Sequence, residues 1–125
     1  GKIVRFGCAQ GLNDAAVAAY DAPYPNARYK VGARVFPTLV PIHPDDPARA
    51  ANERAWDMYK TWTRPFITLF ATRDPVTKGG ETMWQKKVPG AAGQNHTKIR
   101  GAGHFVQEDK GPEVAQALVE FIRSN

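Results

Sequence analysis

The chain has 125 residues, 42% of them hydrophobic and 23% charged, which fits one domain with a buried core and excludes a disordered tail. A net charge of +5 raises nucleic acid or an acidic membrane surface as partners, yet the 17 basic residues are scattered from Lys2 to Arg123 and only Lys86 and Lys87 are adjacent. With no aromatics interleaved to stack on bases and no apolar run near the ~20 residues that cross a bilayer, neither nucleic acid nor membrane is expected.

Lys2 to Gly11 is short and mixed and carries no clear pattern. Leu12 to Tyr20, LNDAAVAAY, reads as a short alanine-rich helix with Asn13 or Asp14 as its cap, stopped by Pro23 and Pro25. Arg28 to Val40 places Tyr29, Val31, Val35, Phe36, Leu39 and Val40 at mostly helical spacings, and Pro37 should bend that helix. The proline-rich PIHPDDP, Pro41 to Pro47, is a loop that delivers the chain into a helix from Ala48 to about Trp62. On that helix Ala51, Ala55, Trp56, Tyr59 and Trp62 form one apolar stripe, read as packing.

After Pro65 the run FITLFAT predicts a buried parallel strand. Gly79 and Gly80 open a helix that runs through Lys87 and closes at Pro89 and Gly90. His96 to Arg100 predicts a second strand. The last helix runs from about Pro112 to Arg123, with Val114, Ala115, Leu118, Val119 and Ile122 inward. Helices first, then strand–helix–strand–helix, predict an α/β fold with a piece of a parallel sheet.

Two residues of this frame carry chemistry. Asp74 follows the first strand, where open α/β sheets place ligand-contacting groups, and His104 follows the second between tight-turning glycines in GAGHFVQE. An acid after one strand and a histidine after the next is the chain order of the α/β-hydrolase triad. On pattern alone they could merely be a turn cap and a structural side chain. His43 with Asp45 and Asp46 lies in a loop with no spacing that converges ligands, so no metal site is expected. In FGCAQG, which resembles a turn between strand and helix, the nucleophile position of a G-x-Nu-x-G elbow would fall on Ala9. Cys8 is one residue out of register and reads as a small buried hydrophobe. As the lone cysteine it favours a reducing, cytoplasmic setting.

The stretches AYDAPYPNARYKVGARVFPTLVP, PFITLFATRDPVTKGG and IRGAGHFVQED together resemble haloalkane dehalogenases from their cap to their C-terminus. The resemblance implies the C-terminal part of an α/β-hydrolase, with the N-terminal sheet strands absent. Residues 1–62 would form a partial helical cap and connecting helix, and residues 63–125 the C-terminal part of the core. It implies Asp74 as triad acid, His104 as general base, and Phe36, Pro37 and Val40 as apolar positions facing substrate. The reaction implied is hydrolysis of a carbon–halogen bond through an alkyl-enzyme ester, with no cofactor.

The nucleophile elbow has no counterpart in these residues, so three outcomes are open. The chain is a fragment inactive by itself, or a subunit completed by an N-terminal partner chain or self-association, or a non-catalytic binding module. An epoxide hydrolase-like parent shares the same acid and base turns and is the alternative on substrate. Two strands alone should leave sheet edges and apolar surface open.

Overall fold

The computed structural model describes all 125 residues as six α-helices and a two-stranded parallel sheet, in the order helices first and then strand–helix–strand–helix. The helices are α1 (Lys2–Gly7), α2 (Asp14–Asp21), α3 (Val31–Val35), α4 (Arg49–Tyr59), α5 (Glu81–Lys87) and α6 (Val106–Ser124); the strands are β1 (Leu69–Ala71) and β2 (Thr97–Ile99).

The unassigned N-terminal segment is helical, so FGCAQG leaves a helix rather than a strand. Cys8 ends α1 in extended backbone, its N–H shared between the carbonyls of Val4 and Arg5. The cap of α2 is Asn13, whose side chain accepts from Ala16 N at 2.8 Å. Between Ala27 and Leu39 the chain is three short helical pieces, because Pro37 has no N–H to continue α3. It sits instead near the start of a tight 3-10 turn, Phe36–Leu39, where the missing donor costs little. Asp46 then turns the loop into α4 by accepting from Ala48 N at 2.9 Å.

Helix α4 ends at Tyr59, three residues earlier than the sequence suggests, and Trp62 closes a turn onto the Tyr59 carbonyl. Its stripe packs through Trp56 and Tyr59, which meet Trp84 of α5 with ring centroids 4.5 and 5.1 Å apart; Phe66 stacks on the same indole at 5.7 Å. Ala51 and Ala55 stay exposed. The segment after α4 is zipped to the end of α5: Gly90 N donates to Trp62 O, and Phe66 N to Gly90 O. A Cβ on Gly90 would stand 1.9 Å from the Arg64 carbonyl oxygen, so the backbones meet where only glycine fits.

The strands pair in parallel with Leu69 opposite Thr97, Phe70 opposite Lys98 and Ala71 opposite Ile99. FITLFAT is thus a strand over three residues only, half-buried at Leu69 and Phe70 and buried at Ala71, because it is paired along one edge alone. The core is Ala71, Ile99 and Ala102, with Val106 and Val114 against it.

Helix α6 begins at Val106, six residues before Pro112, and breaks at Lys110; Pro112 opens its longer second piece. Of the expected inner stripe only Val114 reaches the core, while Ala115, Leu118, Val119 and Ile122 are exposed. The inner face is a neighbouring one: Val114, Ala117 and Phe121 are its half-buried positions, and Ala117 and Phe121 line a cavity with Ile67, Gly93 and Gln94. Eleven of the 125 residues are buried, so much of the apolar surface has no cover, as a two-stranded sheet requires.

Replacing Gly90 with Ala should cost about 3 kcal/mol in urea unfolding through the clash with Arg64. Gly32→Ala, inside α3 with open space around it, should be neutral or stabilising by up to about 1 kcal/mol. Equal effects at the two positions would contradict the described approach at Gly90.

Candidate functional site

Because the strands are parallel and end in register at Ala71 and Ile99, the turns that follow them emerge at the same end of the sheet. Those turns are tied to each other. Thr72 N donates to Ile99 O at 3.1 Å, Arg73 N to Ala102 O at 2.9 Å, and Gly101 N to the Thr72 hydroxyl at 3.0 Å. Gly101 takes a φ of +75°, a conformation glycine adopts freely, and turns the chain back toward β1.

This arrangement brings Asp74 and His104 together. The His104 Nδ1 lies 3.0 Å from Asp74 Oδ1. Asp74 is 4% exposed, and its carboxylate also accepts from Val76 N at 2.8 Å and from the Thr77 hydroxyl. Burial pushes the Asp74 pKa up, but the hydrogen bonds from Thr77, Val76 and His104 outweigh it and hold the carboxyl below the usual aspartate range. An ionised carboxylate only accepts, so Nδ1 carries a hydrogen, and in the neutral ring Nε2 is the nitrogen with the free lone pair. Nε2 has no protein partner, and the His104 side chain is 38% exposed. The geometry is that of a histidine held as a base by a buried acid.

The other residues singled out by sequence stand apart. Phe36, Pro37 and Val40 lie on the surface of the 27–40 segment, and no hydrogen bond links them to the Asp74–His104 pair. His43 and Asp45 are exposed in their loop, and Asp46 is engaged in its turn. Cys8 is buried; burial, with the carboxylates of Asp109 and Glu108, pushes its thiol up and away from the thiolate a nucleophile needs. Trp56 packs on Trp84, and Trp62 is exposed with the Arg64 guanidinium 6.0 Å from its ring centroid.

Sequence reasoning passed over Asp109. Its carboxylate accepts from Gly103 N and Ala9 N at 2.7 Å each and from Gln10 N at 2.8 Å, while Gly7 O accepts from His104 N at 2.7 Å. The segment from Gly7 to Gln10 therefore lies directly against the histidine turn. A Cβ on Gly103 would be 2.5 Å from Gly7 O, and one on Gly7 would be 2.6 Å from the Phe105 ring, so this approach needs both glycines. The signal available in the sequence was an acidic residue one turn after a Gly-flanked histidine, which alone reads as an ordinary helix N-terminal acid.

No protein-family model matches the chain. Curated relatives do. A protein named haloalkane dehalogenase from Psychrobacter cryohalolentis is 51% identical over all 125 residues. Haloalkane dehalogenases from Mycobacterium marinum and Mycolicibacterium paratuberculosis are 47% and 44% identical over 121 residues, 97% of the chain. The chain spans about 40% of the length of these relatives.

Thr77→Val removes one donor to the Asp74 carboxylate and should cost about 1 kcal/mol of stability at pH 7. A depressed folded-state pKa contributes stability that is present above the unfolded value and lost as pH falls through the folded one. The gap between Thr77→Val and the unsubstituted chain should therefore narrow below the ordinary aspartate value of about 4. Urea unfolding across that range checks it, and a gap independent of pH would refute the assignment.

Proposed function

We propose that this chain, homologous along its whole length to haloalkane dehalogenases, is the C-terminal part of such an enzyme and carries the acid and base of its reaction. The observation that carries the reading is the buried Asp74 carboxylate on His104 Nδ1, with Nε2 unpartnered at the carboxyl end of two parallel strands. That dyad would serve any hydrolase working through an ester intermediate; the substrate class, a small haloalkane, comes from the relatives.

The division of labour follows from the chemistry. A carboxylate nucleophile supplied from outside these 125 residues attacks the carbon bearing the halogen, and the C–X bond breaks as halide leaves with its electron pair. The product is an alkyl ester on that carboxylate. His104 Nε2 then takes a proton from water as the water oxygen attacks the ester carbonyl carbon. Asp74 holds the ring in the correct tautomer and stabilises the imidazolium formed. Collapse of the tetrahedral intermediate expels the alkoxide, which takes the proton back from the imidazolium and leaves as alcohol, and the acid left behind loses its proton to solvent to restore the carboxylate.

Residues 63–125 supply the sheet piece that bears the dyad. Residues 1–62 supply a helical part in which Phe36, Pro37 and Val40 face the substrate, their apolar side chains suiting an alkyl chain. By itself the chain has an acid and a base but no nucleophile at an elbow, and it should not turn over. A lone buried cysteine suits a cytoplasmic setting. No helix is long and apolar enough to cross a membrane.

The test replaces the matching segment of the Psychrobacter relative with this chain and measures halide and alcohol from short 1-chloro- and 1-bromoalkanes. The folded chimera should turn over, and the isolated chain should release no halide. With His104→Ala, halide release should stop after about one equivalent per protein, since displacement needs only the nucleophile, and alcohol production should fall by about 10²–10⁴. Full turnover in that variant would overturn the reading, as would a chimera that melts cooperatively yet releases no halide.

A further inference from the structure

We propose that Asp109 is a positioning residue for His104, fixing the backbone on both sides of the imidazole so that it stays against Asp74, an inference that rests on the hydrolase reading above. The carboxylate touches neither His104 nor Asp74 by a hydrogen bond. It binds Gly103 N on one side of the histidine, and Ala9 N and Gln10 N across from it. Two residues before Ala9 in the same segment, Gly7 O accepts the N–H of His104 itself. Gln10 adds a side-chain bond to Gly101 O at 3.4 Å. The histidine turn is thus gripped by Asp109 and the Gly7–Gln10 segment, while Thr72 and Arg73 hold it from the end of β1.

The chemistry of the grip requires a carboxylate. Three backbone N–H groups converge on its two oxygens, and an ionised acid offers acceptors to all of them with no donor of its own. Asparagine would present an NH2 where one oxygen now accepts, setting donor against donor. The turn cannot compensate by moving inward, because the backbone at Gly103 already lies too close to Gly7 and Ala9 for any side chain. It can only move out, carrying the ring with it; Phe105, edge-on to that ring at 5.3 Å, would lose its seat against Gly7.

The experiment is nuclear magnetic resonance of the nitrogen-labelled 125-residue chain, following the ring N–H protons of His104 and His96. His96 bonds Ala91 O through Nε2 at 2.9 Å and accepts from Thr68 N, at the opposite end of β2, and so reports on general folding. The His104 signal is assigned by His104→Gln and should change with Asp74→Asn. If Asp74→Asn leaves it unchanged, the acid–base reading itself fails. In Asp109→Asn, the His104 ring proton should exchange with water on the order of tenfold faster, while the His96 proton keeps its rate. An unchanged His104 rate beside an unchanged His96 rate would overturn the positioning role alone. Should Asp109→Asn lose both signals by unfolding, the unsubstituted chain decides. Amides of Ala9, Gln10 and Gly103 protected alongside the His104 ring proton sustain the proposal, and amides exchanging freely while that ring proton stays protected overturn it.

Discussion

The parallel pairing of Leu69–Ala71 with Thr97–Ile99 is the constraint on which the site depends. A parallel pair needs a crossover, here α5 and the turn at Pro89–Ala91, and it returns the chain so that both strands finish at one end. Asp74 lies three residues past the end of β1 and His104 five past the end of β2, and these short overruns leave room for little else than facing each other. Three hydrogen bonds, one to the last residue of β2 and two between the overruns, then set the distance. A register slip of one residue would break all three together.

Both acids of the site are kept ionised chiefly by neutral donors rather than by cations. Asp74 is satisfied by two neighbours in its own turn and by the imidazole; Asp109 by three backbone amides, with Arg73 adding a weaker attraction. Hydrogen bonds from fixed N–H groups do not screen with salt as surface ion pairs do. The surface pairs, Arg49 with Glu53 and Lys60 with Asp57, are exposed helix contacts that contribute little.

How much of this the amino-acid sequence discloses varies with the range of the interaction. Asp74 and His104 are legible because glycine and proline punctuate the strand ends around them, and the strand–helix–strand order follows from apolar runs and breakers alone. The cap at Asn13 and the turn at Asp46 are equally local. Helix α1 is not legible, since KIVRFG has no period and its Ile3 and Phe6 face outward. Asp109 is not legible because two of its partners are about a hundred positions away in the chain. Trp84 escaped for a different reason: α5 is too short to show a stripe, yet its indole is the hub on which Trp56, Tyr59 and Phe66 converge. The stripe assigned to α6 fails because apolar residues occupy adjacent positions from Ala115 to Ile122 and fit two neighbouring faces, of which the one with Ala117 and Phe121 turns inward.

The uneven packing has a functional consequence. Around the dyad the backbone is held by long-range bonds and by glycine contacts that admit no slack, whereas the 27–40 segment is held mainly by its own helical bonds and by local side-chain turns at Asn26 and Thr38. Its Tyr29, Val35, Phe36 and Leu39 remain exposed. Local stability follows contact density, so the histidine turn should resist opening far better than this segment. In the proposed enzyme that asymmetry is useful. The proton transfer needs heavy atoms held within a few tenths of an ångström, but an apolar wall that receives an alkyl chain needs only area and shape, and can change its side chains without disturbing the base. In that proposal the two tasks would sit on parts of the chain that share few restraints, so that substrate preference could vary while the Asp74–His104 geometry is kept.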